Sequence, residues 1–402
     1  HDKSSTMDDH FFLSLPKEAS DLAHEDVAAI EAWFWCLNKR STPNEKLEQI
    51  LKEIGENLKK KDKVFAHSIA QQFAALFVIL LDNEKIRRQV YVVIEYLAKF
   101  EQIKELILEQ DGLLNKLINH LEDIEAKRAI TILVTNSVKN RSLIGKKTEI
   151  FQILINFIQQ NYDAAHKVQA CVALANLAFR HNDNRLKIDI DPIITEIKLT
   201  KDDHVKEACL RVLARVARNS QISAKIAANN AFLEYLVLQL DDQNDKIVMI
   251  TAAVLGQMAT DSEEISMKMY HMKFFFDKIF TLAFGANTSP GSRFMTIALL
   301  ANLAYHNDEL RYAIVGHDLE QDPIIQALIQ VVIMADTQDI RRMAAVTLGH
   351  CCRTEQIRSR IYHHGGLPAF EILRNSSDKG LSYPLAHRMM CLLLYGPGEE
   401  IK

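Results

Sequence analysis

Side chains that can form hydrogen bonds recur inside apolar stretches of this sequence. The segments ALANLAFRHNDNR (173–185) and LLANLAYHNDELR (299–311) each place an asparagine, Asn176 or Asn302, within an apolar helical pattern. Asparagine is a poor helix former because its side chain competes for backbone hydrogen bonds. Its amide donates and accepts together, which suits recognition of a peptide group. The repeated pattern indicates a binding surface built on helices, although a single such asparagine is equally well explained as a brace of its own helices.

Polar residues occupy comparable positions along the rest of the chain, about forty residues apart. The anchors of this series are Tyr96, Asn136, Asn176, Arg215, Gln257, Asn302 and His350. Residues three or four positions from an anchor share its helix face. Their polar members are Lys99, Lys139, Asn140, Arg180, Arg211, Arg218, His306 and Arg353. We predict that the anchors after Tyr96 and these neighbours line one surface, basic in its first half and centre; alternatively, some long side chains lie along the core.

The sequence lacks the motifs that position catalytic groups. It contains no G-x-G-x-x-G, P-loop, H-E-x-x-H or G-x-S-x-G sequence. The 15 histidines are scattered, and the adjacent pair His363 and His364 beside two glycines is typical of a turn rather than of a ligand cluster. We therefore expect no enzyme activity, no catalytic residue, no metal site and no cofactor.

Composition favours a helical protein of the cell interior. Glycine (13) and proline (8) are scarce among 402 residues, and folds rich in strands and turns need both. The six cysteines form no C-x-x-C pair and lie mostly in apolar helical patterns, as expected for core residues in a reducing compartment. Residues 73–81 form the longest apolar run, too short to span a bilayer. With no signal-peptide pattern at the start, we expect a cytoplasmic location, with the nucleus as the alternative.

The anchors belong to a repeated unit with a constant internal order. A long helix ends at the anchor, and a short polar turn, a short helix, a second apolar helix and a polar loop follow. The phrase DPII opens the second helix twice, at 191–194 and 322–325, where Asp and Pro form a sound helix start. A unit of about 40 residues with one short and two longer helices resembles the armadillo repeat, with the HEAT repeat as the neighbouring class. The resemblance covers roughly residues 60–395.

The resemblance implies an all-α, right-handed superhelical solenoid of about seven to eight three-helix repeats, because one unit cannot bury its apolar faces alone. We assign residues 1–24 to a flexible N-terminal tail, 25–62 to capping helices and 63–402 to the solenoid. Trp33 and Trp35 are expected to supply apolar area to the cap, or alternatively to form an exposed partner site. The run Lys59–Lys63 is interpreted as a solvated linker, with a nuclear-import signal as the alternative. Irregular loops are predicted at 285–293 and 316–322.

In armadillo proteins the long third helix of each repeat lines a concave groove, and its asparagine binds the backbone of an extended peptide. The resemblance therefore places the predicted surface in that groove. Positions four residues before the anchors carry no tryptophan ladder, which importin-alpha uses to hold the lysines of import signals. The basic residues instead resemble a groove of the beta-catenin type. We accordingly expect a non-enzymatic scaffold or adaptor that binds extended, acidic segments of other proteins.

Two other functions remain open from the sequence. The chain could be the regulatory armadillo domain of a larger enzyme that senses a small anionic ligand, since the ending LLLYGPGEEIK is interpreted as a cut at the edge of a solenoid. It could also be a structural solenoid of a large assembly. The net charge of −4 gives no general attraction for nucleic acid, so no nucleic-acid partner and no integral membrane segment are expected.

Overall fold

The computed structural model describes residues 22–316, 322–376, 378 and 380–397. Within these ranges the regular structure is entirely helical, so the predicted all-α class is confirmed. Nearly all of the predicted N-terminal tail lies outside the described residues. The same is true of 317–321, the middle of the second predicted loop.

The helices are α1 (His24–Asn38), α2 (Asn44–Lys60), α3 (Lys63–Leu80), α4 (Arg87–Leu97), α5 (Glu101–Leu108), α6 (Leu113–Asn119), α7 (Ile124–Val134), α8 (Val138–Gly145), α9 (Glu149–Gln159), α10 (Ala164–Ala178), α11 (Asn182–Leu186), α12 (Asp191–Leu199), α13 (Asp203–Val216), α14 (Ser220–Ala228), α15 (Asn230–Leu238), α16 (Asp245–Thr260), α17 (Glu263–Tyr270), α18 (Phe275–Phe284), α19 (Pro290–His306), α20 (Asp308–Val315), α21 (Pro323–Met334), α22 (Gln338–Cys351), α23 (Glu355–His363), α24 (Gly366–Arg374) and α25 (Ser382–Tyr395). A 3-10 helix covers Gln239–Asp241.

Along the chain, α5 to α25 form successive triplets of a short, a second and a third helix. Two compact units divide the protein, residues 1–188 and residues 189–402. In the first unit α2 packs on α4, α4 on α7 and α7 on α10; in the second α13 packs on α16, α16 on α19, α19 on α22 and α22 on α25. Each unit is therefore an α-solenoid whose third helices form a row and share one continuous core.

Buried positions repeat with the same spacing in every third helix, which defines a common register. In this register Asn176, Arg215, Gln257, Asn302 and His350 occupy one equivalent, half-buried position. Tyr96 in α4 and Cys391 in α25 hold the same position.

Asn136 does not belong to this register. The equivalent residue of α7 is Ile132, four residues earlier, because the connections between repeats differ in length. Asn136 instead follows the end of α7 with a φ of 59°, the place taken after α10 by Arg180 with a φ of 52°. Both residues adopt the left-handed conformation that reverses the chain after a helix, and asparagine tolerates it better than most residues.

The polar turns after the third helices begin the short helices. Ser137, His181, Asn219, Ser262 and Asn307 immediately precede α8, α11, α14, α17 and α20, and the side chain of each accepts a hydrogen bond from a backbone N–H of the first turn. Such caps satisfy donors that a helix cannot satisfy internally. Helix capping therefore explains why these turns are rich in asparagine and serine.

Two buried asparagines join the short helices to the third helices of the first unit. Asn184 is fully buried and donates to the carbonyl oxygens of Leu177 (2.9 Å) and Arg141 (3.0 Å). Asn140 donates in the same way to Leu133 (2.8 Å) and Lys104 (3.1 Å). Leu177 and Leu133 lie in the last turns of their helices, where carbonyl groups have no intrahelical partner. These amides complete helix ends inside the core.

At the N-terminus, the segment assigned to capping helices, residues 25–62, contains nearly all of α1 and the whole of α2. Trp33 is 7% exposed and its ring meets Phe65 edge-on at 6.4 Å, whereas Trp35 is 63% exposed. Only one of the two tryptophans therefore contributes to the core. The run Lys59–Lys63 is not a linker, because Lys59 and Lys60 end α2 and Asp62 caps α3.

The first predicted loop is confirmed in part. Residues 285–289 connect α18 and α19, but Pro290 already begins α19, with Ser289 as its cap. For the second loop, Gly316 and Asp322 are non-helical and 317–321 lie outside the described residues.

Among the described residues one helix, α3, is long and apolar enough to cross a membrane by length and composition. Phe73 and Phe77 of this helix are fully buried, and it packs on α1, α4, α5 and α6. A core helix meets the same criteria, so α3 is weak evidence for a membrane span.

Candidate functional site

In each unit, the third-helix face is the half-exposed surface of that unit's third helices on which the equivalent anchor positions lie. Its most strongly charged part is α13. Arg211 and Arg218 are exposed and Arg215 lies half-buried between them on one helix stripe. Burial, followed by the charges of Arg218 and Arg211, lowers the pKa of the Arg215 guanidinium. Arg211 pairs with Glu207 of the same helix at 2.5 Å. The stripe thus places three guanidinium groups on one helix face.

Next along the face, Gln257 of α16 borders a pocket of about 270 Å³ between α14, α16 and α17. The amide of Gln257 has no hydrogen-bond partner among the described residues. The charged side chains that line the pocket are Arg218, Lys268, Asp261 and Glu264. Equal numbers of cations and carboxylates make this pocket electrostatically balanced.

On α19, the anchor amide is engaged with the preceding repeat. Asn302 Nδ2 donates to the carbonyl oxygen of Gly256 (2.8 Å) and to the hydroxyl of Thr260 (3.2 Å). One turn later, His306 Nε2 lies 2.6 Å from the carbonyl oxygen of Ala259. Both predicted ligand-binding side chains therefore also fasten α19 to α16.

The anchor of α22 follows the same arrangement. His350 Nδ1 lies 2.8 Å from the carbonyl oxygen of Ala301, and burial lowers the pKa of its ring, which favours the neutral form. The His350 ring is 5.4 Å from that of Tyr305, and the Arg353 guanidinium lies 4.5 Å from the same tyrosine ring. Tyr305 is exposed, so an aromatic surface between a cation and an imidazole is presented here.

Sequence reasoning overlooked Tyr305. A signal was available, because it stands three residues after Asn302 and hence on the same helix face.

In the first unit the anchor residue of α10 has no side-chain hydrogen bond to another described residue. Asn176 is half-exposed and its amide has no partner among the described residues. Arg180, beyond the end of α10, lies over the Phe179 ring at 5.2 Å. Lys99, after α4, lies over the Tyr96 ring at 4.4 Å.

Other cations of the first unit are neutralised by carboxylates of adjacent helices. Arg128 pairs with Glu95 at 2.8 Å and Arg88 with Glu125 at 3.0 Å, both between α4 and α7. The predicted basic character of the first half is therefore weaker than the residue types suggest.

Two predicted site residues lie elsewhere. Asn140 is 1% exposed and its amide is fully used by backbone carbonyls, so it does not line the face. Lys139 belongs to the short helix α8 and pairs with Glu109. Both follow Asn136 at helical spacing, and the register with Ile132 at the anchor position removes them from the row.

The face offers hydrogen-bonding groups and charge. Among the described residues no three His, Cys, Asp or Glu side chains are placed to hold a metal ion. The buried cluster of Asp322 with Arg360 and His364 is bonded to the backbone of Gly316 through Arg360 (2.9 Å) and so fastens α23 to the end of α20. Burial would raise the pKa of Asp322, but its hydrogen bonds to Arg360 and His364 lower it overall. This cluster is structural.

No known protein-family model matches this chain, and no curated protein sequence matches it. Solved structures share its fold. An engineered protein known from a crystal structure matches 94% of this chain and 97% of its own, with a TM-score of 0.64 and 17% identity. A designed armadillo repeat protein matches 60% of this chain and 99% of its own, with a TM-score of 0.51 and 16% identity. A second, in complex with the peptide (KR)4, matches 60% and 99%, with a TM-score of 0.50 and 15% identity. The chain thus has an armadillo-like repeat fold.

Proposed function

We propose that this protein is a non-enzymatic interaction scaffold that binds extended, acidic segments of other proteins across its third-helix face. The observation that carries the proposal is the arginine stripe of α13. Burial, followed by the nearby charges of Arg218 and Arg211, lowers the pKa of the Arg215 guanidinium, so three cations lie close together on one helix stripe. A ligand carboxylate would relieve this repulsion, and guanidinium groups bind carboxylates in a bidentate manner.

The amides of Asn176 and Gln257 support the same function, since both are half-exposed and have no partner among the described residues. Each can donate to and accept from the backbone of an extended chain. Such a backbone contact is independent of the ligand's sequence, so the arginines would decide which segment binds.

A small anionic ligand is less well supported. The pocket beside Gln257 carries Asp261 and Glu264 as well as Arg218 and Lys268, so it offers no net positive charge to an anion. The peptide in the designed neighbour is basic, but at 15% identity that structure carries the fold and not the charge preference. We place the scaffold in the cytoplasm, with the nucleus as the alternative, and propose no nucleic-acid partner.

The test compares two charge-reversal variants of equal net charge. Arg211→Glu with Arg215→Glu reverses the stripe, and Lys198→Glu with Lys201→Glu reverses two exposed lysines near the start of the same unit. Binding of a fluorescent twelve-residue peptide of alternating glutamate and serine is measured by anisotropy. We expect the stripe variant to bind about tenfold more weakly or worse, because like charges across an interface cost several kcal/mol, and the lysine variant to bind almost as the parent does.

Thermal unfolding of both variants is measured in parallel, since exposed charges contribute little to stability. Equal binding by the parent and a folded stripe variant would show that acidic segments do not bind at α13. Unfolding of the stripe variant would mean that its arginines are structural.

A further inference from the structure

In the second unit, three predicted ligand-binding side chains have already used their donors. Both amide hydrogens of Asn302 point to oxygen atoms of α16, on Gly256 and Thr260. His306 Nε2 and His350 Nδ1 each contact a backbone carbonyl oxygen, at 2.6 Å and 2.8 Å. Because a carbonyl oxygen can only accept, the contacting nitrogens must carry the protons. An imidazole ring in its neutral form then has no other N–H to offer.

These side chains keep three hydrogen-bond acceptors: Asn302 Oδ1, His306 Nδ1 and His350 Nε2. None of these three atoms has a hydrogen-bond partner among the described residues. None of them is among the fully buried polar atoms that lack a hydrogen bond. They are therefore accessible on the half-exposed face of α19 and α22. An accessible acceptor is satisfied by water, or by a ligand group that donates.

The same row of helices thus presents two opposite chemistries. On α13 the arginine stripe has cationic donors, which favour carboxylates. On α19 and α22 the face has neutral acceptors, which favour donors. A cationic donor is disfavoured there, because Arg353 lies within 4.5 Å of the Tyr305 ring that the His350 ring also contacts. A neutral amide or hydroxyl donor fits both the acceptors and the nearby positive charge.

We propose that the partner segment is bipartite: a run of carboxylates over α13 adjoins a run of neutral donor side chains, such as asparagine and serine, over α19 and α22. This inference rests on the proposed binding of acidic segments and adds a second recognition element to it. Adjacent helices pack about 8–10 Å apart, so α13 and α22, three steps apart in the row, are separated by roughly 24–30 Å. An extended chain covers about 3.3 Å per residue, so a segment of roughly 7–9 residues spans that distance.

The experiment uses the full chain and three twelve-residue peptides. Each peptide has a block of four glutamates and a Gly-Ser spacer, followed by a second block of six residues. The second block alternates Asn and Ser in the first peptide, Ala and Gly in the second, and Lys and Ser in the third. Each peptide is also made with the two blocks in the reverse order. The measured quantity is the ratio of the dissociation constants of two peptides for the same protein variant. Because both peptides carry the glutamate block, a change in the affinity for glutamate cancels in this ratio. We expect the Asn-Ser peptide to bind about tenfold more tightly than the Ala-Gly peptide in one block order, and more tightly than the Lys-Ser peptide.

Two substitutions connect that preference to the acceptors. Asn302→Lys with His350→Lys keeps a donor for each backbone carbonyl but removes the acceptors, and should abolish the preference for Asn-Ser over Ala-Gly. His350→Gln keeps both a donor and an acceptor and should preserve it. Asn287→Ala, in the exposed connection between α18 and α19, serves as the unrelated control.

The outcomes separate this inference from the proposed function. If no glutamate-containing peptide binds, the acidic-segment function itself is overturned. If they bind but Asn-Ser and Ala-Gly are equivalent in both block orders, the bipartite partner is overturned while the acidic-segment function stands. A preference that survives in the folded double-lysine variant would also overturn it, because the acceptors would then be irrelevant.

Discussion

The two copies of the asparagine motif share a sequence pattern but not a role. In the first copy, 173–185, Asn176 is half-exposed on α10 and its amide has no partner among the described residues. In the second, 299–311, Asn302 occupies the equivalent position on α19 but donates to Gly256 and Thr260. One asparagine is available to a ligand, and the other partly serves as a brace between repeats.

The preceding third helices differ at the position that the second asparagine contacts. Gly256 has no side chain, and the Asn302 amide lies beside the place where one would begin: a Cβ there would be 3.9 Å from Nδ2. In α7 the equivalent of Gly256 is Thr131. The Thr131 hydroxyl donates to the carbonyl oxygen of Lys127 in its own helix at 2.9 Å.

The ends of the two motifs differ as well. Asn184 closes the first copy with a buried amide, whereas Leu310 takes its place in the second. The following arginines agree: Arg185 donates to Ala178 at 3.1 Å and Arg311 to Ala304 at 2.8 Å. In both copies an arginine therefore donates a hydrogen bond to the last turn of the third helix. In the first unit Asn184 adds a further hydrogen bond to that turn.

The largest expected effect separates the two asparagines of the first copy. Asn184→Ala should lower the free energy of unfolding by about 3 kcal/mol, because two buried carbonyl groups lose their donor. Asn176→Ala should change it by less than about 0.5 kcal/mol, as is usual for an exposed residue without partners. Urea denaturation measures both. Similar losses for the two variants would contradict the distinction between a brace and a surface amide.

A second prediction concerns the glycines that precede two anchors, Gly256 and Gly349. A methyl group on Gly349 would overlap the sulfur of Met389, which is buried, so Gly349→Ala should cost about 1–3 kcal/mol through overpacking. A Cβ on Gly256 would meet Leu299 at an ordinary 3.8 Å. Gly256→Ala should therefore be neutral or stabilise by up to about 1 kcal/mol, the gain in helix propensity. Thermal unfolding that ranks the two variants in the opposite order would refute the packing described for α16 and α22.

The brace made by Asn302 should have a smaller but measurable effect. Asn302→Ala removes two hydrogen bonds at a half-exposed site and should cost about 1 kcal/mol, against almost nothing for Asn176→Ala. The difference is best measured as the shift in urea midpoint at constant slope. If the two variants have equal stability, the contact between Asn302 and α16 contributes nothing.

The smallest expected effect is a pH dependence that originates at His350. Burial lowers the pKa of its folded-state ring below the ordinary 6.5. As pH falls below about 6.5 the unfolded chain takes up a proton that the folded chain does not, so the free energy of unfolding should decrease; above that pH the term is constant. His120 and His181, whose pKa values burial also lowers, act with the same sign. His350→Gln should therefore reduce the slope between pH 7.5 and 5.5 without abolishing it, and an unchanged slope would exclude His350 as a source.

Much of the fold was predictable because helix periodicity is local. The spacing of apolar residues around Asn176, Arg215, Gln257 and Asn302 was enough to place all four at one half-buried position. The scarcity of glycine and proline indicated the all-α class in the same way. The prediction failed at Asn136, because a uniform repeat length ignores the varying connections, and Ile132 holds that position.

The candidate site was less predictable. Asn140 and Asn184 have the same residue type as Asn176 but are buried, and a signal was present: each is followed by arginine, in NRS at 140–142 and NRL at 184–186. The neutralisation of Arg128 by Glu95 and of Arg88 by Glu125 had no sequence signal, since each pair joins residues more than thirty positions apart.

The sequence by itself determined that the chain folds as helical repeats with polar side chains at one position of each third helix, because backbone hydrogen bonding and the apolar stripe act over a few residues. The tertiary structure alone decided which of those side chains stay available. Whether the amide forms a hydrogen bond depends on the atom that the preceding repeat places beside it: for Asn302 that atom is the carbonyl oxygen of Gly256, 46 positions away in the chain. Contacts of that kind depend on the packing of neighbouring helices, and local sequence does not specify them.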